Sequence, residues 1–476
     1  MSKKTKIVAT LGPASRDVST IEAMIRAGMD VARINFSHGT QSEHLETIRS
    51  VRAAAERVGR PVALLGDLCG PKIRTGSKPL SDHVLLEQDS EVLLTSGDIV
   101  GPARVGISHP EVLAELQPDE TVFLRDGMIE LTVVRLTSEG AVCRVRRPGI
   151  VGARKGVNFP GIELASVPTV TDKDRADAAW AADQDMDFLA LSFVRRPEDL
   201  AEVRSVVAGR GKSLPVIAKI EKPQALERIQ DILAASDGVM VARGDLGVEM
   251  AAEEVPFVQR RILAEARDQE KPGIVATEML ESMVESPRPT RAEVSDVTAA
   301  ILDGTDAVML SGETASGRYP VGAVAAMRRI ADHADRHVIE MLRSRPATQL
   351  ADADNVGEAV GRAAELIVRQ LGLEAILVLD RDGRRTAAAS ASRPAARIVG
   401  LTTDRAAIQR MSLLWGVEPV FLDRTLGADD MAQALSRLCL DRGIAGPGAH
   451  VVVLSASSAA DQGPVTILRV IEVGDS

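Results

Sequence analysis

The chain opens on Ile7-Val8-Ala9-Thr10-Leu11, an almost unbroken apolar run stopped by Gly12-Pro13. A run that short, without alternation, predicts a strand buried on both faces. Ser19-x-x-Glu22 then reads as a capping box, followed by Ile21, Met24 and Ile25 at helical spacing, with Gly28 ending the helix. Val31 to Ser37 predicts a second strand with a polar tip. Leu45, Ile48, Val51 and Arg52 predict a second helix, and Val62 to Leu65 a third strand ending in Gly66-Asp67. The order β-α-β-α-β is the rhythm of a parallel sheet.

From Pro71 to about Val167 the rhythm breaks into short alternating runs: Val92 to Leu94, Val122 to Leu124, Ile129 to Val133 and Val142 to Val145, with Asp126-Gly127 as a hairpin signal. This predicts an all-β domain inserted after the third strand. The parallel pattern then resumes. Asp172 to Gln184 is helical, and strands are expected at Phe188 to Phe193, Pro215 to Ile220, Gly238 to Ala242, Gly273 to Thr277 and Ala307 to Leu310. Thr290-x-x-Glu293 is a second capping box, before a helix ending at Asp303-Gly304. Eight such strands fit a (β/α)8 barrel better than an open sheet. A third region begins near Arg345-Pro346. It carries a helix through Val356, Val360 and Ile367, then strands at 375–379, 397–401, 419–422, 450–454 and 466–471, as in a small α/β domain. The expected division is a barrel from 1–70 and 168–344, an inserted β lid at 71–167, and a C-terminal α/β domain at 345–476.

Composition narrows the class. Aromatics make up only 2% of the 476 residues, so the core must be built from Ala, Val, Ile, Leu and Met. The net charge is −10, with no Lys or Arg block, which argues against nucleic acid or an anionic membrane as the main partner. The three cysteines, Cys69, Cys143 and Cys439, are widely spaced and suggest neither a disulfide framework nor a metal motif. With no signal peptide and no membrane-length apolar run, a reducing cytoplasm is expected.

Charge at strand ends carries the chemistry. Lys219-Ile220-Glu221 and Arg243-Gly244-Asp245 each follow a short apolar run. The bland reading is two buried ion pairs, but buried charge is costly without a partner or a task. In a barrel, the C-terminal strand ends form one mouth. Read in order they bring together Arg33, Asn35 and Ser37; Asp67; Lys219 and Glu221; Arg243 and Asp245; Thr277 and Glu278; Ser311 and Glu313. Glu221 and Asp245 suit Mg2+ (or Mn2+), leaving coordination positions for substrate oxygens and water. Lys219 suits a point charge on a phosphoryl oxygen, and Arg33 suits bidentate phosphate recognition or, alternatively, a rim salt bridge. The backbone at Gly244 and Asp245 can approach a carboxylate, with Thr277 beside it, unless Thr277 only caps the next helix.

These residues lie in stretches that resemble the pyruvate kinase family. They are Thr5 to Ser15, Asn35-Phe36-Ser37-His38-Gly39, Gly70-Pro71-Lys72-Ile73-Arg74-Thr75-Gly76, Lys155-Gly156-Val157-Asn158, Lys219-Ile220-Glu221, Met240 to Gly247 and Met309 to Thr314. The resemblance implies phosphoryl transfer from phosphoenolpyruvate to ADP, giving pyruvate and ATP. It places the divalent cation on Glu221 and Asp245 and the moving phosphoryl group on Lys219 and Arg33. The substrate carboxylate falls on Thr277 and the Gly244–Asp245 backbone. Asn35, His38, Arg74 and Lys155 lie toward the nucleotide. It also implies a homotetramer and, at Arg384, Arg385 and Thr386, a phosphorylated allosteric effector, although that turn reads equally well as solvated.

Two positions depart from the family pattern. Members that need K+ carry an acidic residue after Gly-Pro and Asp-Thr ahead of it; here these positions hold Lys72 and Leu68, the latter after Asp67. The resemblance is thus to the variant with Lys in place of that acidic residue, and activity without K+ is expected. Asn35, Ser37 and Asp67 would otherwise form the K+ oxygen cage. Glu278 stands where Gln is expected. Two other functions compete. A Mg2+-dependent lyase or aldolase acting on enolates would have no use for Lys219 or Lys72-Ile73-Arg74. A catalytically dead metabolite-binding regulator would not need Lys219, Glu221 and Asp245 intact.

Overall fold

The computed structural model describes residues 3–81, 84–162, 164–344, 356–426, 431–459 and 463–474. Eight parallel strands close into a barrel: Lys6–Thr10, Val31–Asn35, Ala63–Leu68, Phe188–Leu191, Val216–Ile220, Gly238–Ala242, Gly273–Ala276 and Ala307–Leu310. Closure comes from Lys6–Ala9 pairing with Ala307–Leu310. The strands read as continuous apolar runs because both faces are covered. Val8, Val31, Leu65, Ile217, Met240 and Ile274 fill the interior, while Ile7, Ala32, Leu64 and Ala218 meet the surrounding helices. The third strand includes the expected end at Gly66-Asp67 and runs one residue past it, and Asp67 is buried.

Helix starts follow local chemistry. Thr290 and Glu293 form the expected capping box, with the Glu293 N–H donating to Thr290 Oγ1 at 3.2 Å and the Thr290 N–H to Glu293 Oε2 at 2.7 Å. The one expected at Ser19 is replaced. Asp17 caps that helix, accepting from the Thr20 N–H at 2.9 Å and from Ser19 Oγ at 2.6 Å. A carboxylate two residues upstream is the stronger acceptor for the free N–H groups of the first turn. Glu22 is thereby released to pair with Arg26 and Arg57.

The insertion is all-β. Its larger sheet has eight strands, and a two-stranded ribbon lies beside it; Val92, Leu94, Val122, Leu124, Leu131 and Val145 are part of its separate core. The Asp126-Gly127 hairpin joins Thr121–Leu124 to Ile129–Thr137, with Arg125, Asp126 and Gly127 all at positive φ. The C-terminal region is a five-stranded sheet in which four parallel strands are extended by one antiparallel strand. The expected boundary at Arg345-Pro346 lies outside the described residues.

The C-terminal sheet docks on the N-terminal end of the barrel, opposite the mouth. Leu413 joins the barrel-interior cluster, and Lys6 Nζ donates to Val417 O at 2.6 Å. Arg393 pairs with both oxygens of Asp306, at 2.9 and 3.1 Å, just ahead of the eighth strand. Lys4 Nζ and the Arg393 guanidinium both lie over the Trp415 ring, 4.8 and 4.9 Å from its centroid. Burial pushes the Lys4 ammonium down to about 7, against the pull of Asp335. Lys3 is lowered to about 8, again by burial despite Asp30. Folding therefore releases protons wherever the pH lies between these values and the ordinary lysine value of 10.5. Stability from these groups should rise with pH above neutral and fall as pH drops back toward 7. Melting temperature measured against pH should show that rise, and Lys4→Met should flatten it. An unchanged slope in the variant would exclude Lys4 as its source.

Candidate active site

Lys219 points into the barrel mouth. Its Nζ lies 3.1 Å from Asp67 Oδ1, 3.0 Å from Glu221 Oε1 and 2.6 Å from Ser192 Oγ. Burial acts to neutralise it, but Asp67 and Glu221 outweigh that and hold its pKa above the ordinary lysine value. Asp67 bridges the cations, since its Oδ2 takes Arg33 Nε at 2.6 Å while Arg33 also donates to Thr10 Oγ1 at 2.8 Å. Burial works to raise the Asp67 pKa; Arg33 and Lys219 overcome it and keep the carboxylate ionised. Glu221 is pushed up, first by burial and then by Asp245, against the pull of Lys219. Its Oε2 accepts the Phe193 N–H at 2.8 Å.

The negative charge of Asp245 is near enough to raise the Glu221 pKa. A divalent cation would relieve that repulsion. Both ligands are hard oxygens, and among the described residues there is no group of three or more His, Cys, Asp or Glu that could hold a metal. Two carboxylates with open positions fit Mg2+ or Mn2+. Lys72 Nζ meanwhile lies 3.2 Å from Asp245 Oδ1. Burial alone would lower its pKa, but Asp245 and then Asp126 on the inserted hairpin raise it, so it stays charged.

Other expected residues fall differently. The Lys72 ammonium is hydrogen-bonded to Asp245 and to none of Asn35, Ser37 or Asp67. Asp67 is occupied by Arg33 and Lys219, and Asn35 Oδ1 accepts the Ser37 N–H at 3.0 Å. Leu68 is fully buried. Arg243, expected at the mouth, turns away to Asp296 Oδ1 at 2.6 Å and Thr277 O at 2.9 Å. It pins the loop in which Thr277 and Glu278 both take left-handed φ, 66° and 56°. Thr277 Oγ1 accepts the Gly244 N–H at 2.8 Å and donates to Ala276 O at 2.6 Å, so a substrate carboxylate would have to displace that contact. Glu313 is internal, accepting from the Leu280 and Ser311 N–H groups. His38 is exposed on the loop after the second strand. Arg74 donates to Arg154 O at 3.1 Å, and Lys155 is exposed beside it.

The sequence reading omitted Ser192 and Thr10 from the mouth. Thr10 ends its strand and Ser192 directly follows the last residue of its own, each a hydroxyl after apolar residues, which was the available signal. It also missed Asp126, whose nearness to Lys72 depends on how the inserted domain folds back. Arg384, Arg385 and Thr386 lie far from this mouth. They begin the helix Arg384–Ala391 in the C-terminal sheet domain.

The sequence matches the family described as "Pyruvate kinase, barrel domain" over residues 2–324 and "Pyruvate kinase, alpha/beta domain" over residues 358–471. A pyruvate kinase of Methylorubrum extorquens is 41% identical over 475 residues, covering 98% of this chain and 97% of the relative. A pyruvate kinase of Geobacillus stearothermophilus is 38% identical over 482 residues, covering 100% of this chain and 81% of the relative. The crystal structure of a pyruvate kinase from Cryptosporidium parvum, 29% identical, superposes with a TM-score of 0.91 over 99% of this chain and 96% of that one. With the closed barrel, the inserted β domain and the C-terminal α/β sheet all in place, the chain belongs to the pyruvate kinase family and is an enzyme of that family.

Proposed function

We propose that the chain transfers the phosphoryl group of phosphoenolpyruvate to ADP, giving pyruvate and ATP in the final step of glycolysis. The bond between phosphorus and the enol oxygen breaks, and one forms to a terminal phosphate oxygen of ADP. The enolate left behind takes a proton at carbon. The observation that carries this reading is the Lys219 ammonium, held 3.1 Å from Asp67 and 3.0 Å from Glu221 beside Arg33. Phosphoryl transfer asks mainly for such positioned charge.

Lys219 and Arg33 neutralise the moving group. Thr277 and the backbone of Gly244 and Asp245 orient the substrate carboxylate. Asn35, His38, Arg74 and Lys155 serve the nucleotide. Glu221 and Asp245 hold Mg2+ or Mn2+, which when bound supplies charge neutralisation to phosphate oxygens. The working units are the barrel (1–70 and 168–344), the inserted domain (71–167), which excludes water when closed over the mouth, and the C-terminal domain (345–476). The enzyme works in the cytoplasm as a homotetramer under allosteric control. Pyruvate formation in a coupled assay with Mg2+, phosphoenolpyruvate and ADP tests the central claim. No pyruvate at any K+ concentration would reject it.

Lys72 supplies a fixed cation, so the rate should be the same with and without added K+. Its raised pKa keeps that charge through neutral pH. Lys72→Glu should create a K+ requirement. A native enzyme that is silent until K+ is added would remove this role from Lys72.

A further inference from the structure

Glu249 is the last residue of the helix Arg243–Glu249, which carries Asp245 in its first turn. Its side chain is 1% exposed, and a single oxygen, Oε1, makes both of its contacts. That oxygen takes the Lys222 ammonium at 2.6 Å and accepts an N–H of the Asn158 amide at 2.9 Å. Stability alone would not choose this arrangement. A carboxylate in the last turn of a helix faces the negative end of the helix dipole. The other oxygen, Oε2, and Asn158 Oδ1 are buried without a hydrogen-bond partner among the described residues, which is costly.

The three residues come from three parts of the chain that meet beside the mouth. Lys222 directly follows Glu221, just past the strand Val216–Ile220. Glu249 lies one helical turn after Asp245, so the two carboxylates share a face of the helix. Asn158 belongs to the inserted domain, in a short strand paired with Thr121–Leu124. The Val157 N–H donates to Ile73 O at 3.0 Å, which binds that strand to the segment carrying Lys72. The inserted domain therefore grips the helix twice on one face, with Lys72 on Asp245 at 3.2 Å and Asn158 on Glu249 at 2.9 Å. The hairpin tip lies over the same helix, since a Cβ at Gly127 would stand 3.9 Å from Val248 Cγ1.

We propose that Glu249 is a positioning residue for the metal site. Through Lys222 it fixes the strand end that carries Glu221 against the helix that carries Asp245, and through Asn158 it ties the inserted domain to that same pair. The inference rests on the reading of Glu221 and Asp245 as ligands of Mg2+ or Mn2+. Without the Lys222–Glu249 bridge the far end of the helix is no longer held to the strand end. Two ligands not held at one spacing must be ordered when the cation binds, and that ordering is subtracted from its affinity. The contact with Asn158 makes the seating of the inserted domain depend on the same carboxylate.

Mn2+ binding to the full chain, followed by the electron paramagnetic resonance of free Mn2+ with no substrate present, tests this apart from turnover. Glu249→Gln should weaken Mn2+ binding about tenfold or more, the loss typical when a group supporting the ligands is removed. Lys222→Met should weaken it too. That sign is decisive, because deleting a nearby positive charge would by its field alone tighten the hold on a cation. Asn158→Ala should leave Mn2+ affinity unchanged and raise the KM for ADP several-fold, since only the tie to the inserted domain is cut. Glu249→Gln and Lys222→Met nearly keep the volume of the side chains they replace, and melting curves without metal check that both fold. Parent affinity in both variants, or tighter binding in Lys222→Met, would overturn the inference and leave the metal reading intact. A parent chain that binds no Mn2+ would reject the metal reading and this inference with it. An unchanged KM for ADP in Asn158→Ala would overturn the tie to the inserted domain.

Discussion

Lys219→Met should lower kcat by about 10^3- to 10^5-fold, the range seen when a cation on a transferring phosphoryl group is removed. The KM for phosphoenolpyruvate should change far less, because the lost interaction is strongest in the transition state. The reason lies in the contacts. Lys219 joins Asp67, Glu221 and Ser192, so it cannot swing away when charge develops. Its removal also reaches the metal. Glu221 would keep the Phe193 N–H but lose the cation that opposes burial and Asp245. Its pKa should then climb further, and Mg2+ affinity in the variant should fall as pH drops, more steeply than in the parent. Steady-state kinetics and Mg2+ titration at several pH values would check both effects. A kcat within about tenfold of the parent would remove Lys219 from the reaction.

The second large effect is on stability. Arg393→Ala should cost about 3 kcal/mol at the seam between the barrel and the C-terminal sheet, because it leaves a buried carboxylate without its cation. Asp306 would retain the N–H groups of Gly273 at 2.9 Å and Trp415 at 3.1 Å, which limits the loss. Trp415 stacks on the deleted guanidinium and reports the change directly. Denaturation followed by Trp415 fluorescence, in a Trp180→Phe background, should show an earlier transition. The double change Arg393→Ala with Asp306→Asn should recover part of it. A shift worth under about 1 kcal/mol would mean that the pair is solvated rather than buried.

What the sequence showed of this site follows from how barrels are built. Lys219 breaks an apolar run, and a charge at that point of a strand can only face the mouth. The same logic picked out Asp67, Glu221 and Asp245. It misplaced Arg243, whose long side chain reaches Asp296 and the carbonyl of Thr277 instead. Side-chain direction at a helix start is set by neighbours that are distant in the chain, so spacing cannot supply it. Lys72 shows the same limit. Its position in the motif was legible, but its contact with Asp245 depends on how the chain leaves the barrel for the insertion. Ser19 illustrates a smaller one, since the capping pattern was satisfied on paper while Asp17 offered the better acceptor.

The pairing of Lys6–Ala9 with Ala307–Leu310 has a consequence for biosynthesis. At ~5–20 residues per second, the roughly 300 residues between these partners take about 15–60 s to emerge from the ribosome. Throughout that time the N-terminal strand has an unpaired edge, and the apolar face meant for the barrel interior lacks its last wall. The inserted domain, with its own core and strands that pair only with one another, can fold well before then. Nascent chains truncated between the insertion and Ala307 should therefore hold one folded domain beside an open, aggregation-prone half-barrel, and should bind holding chaperones until the eighth strand arrives.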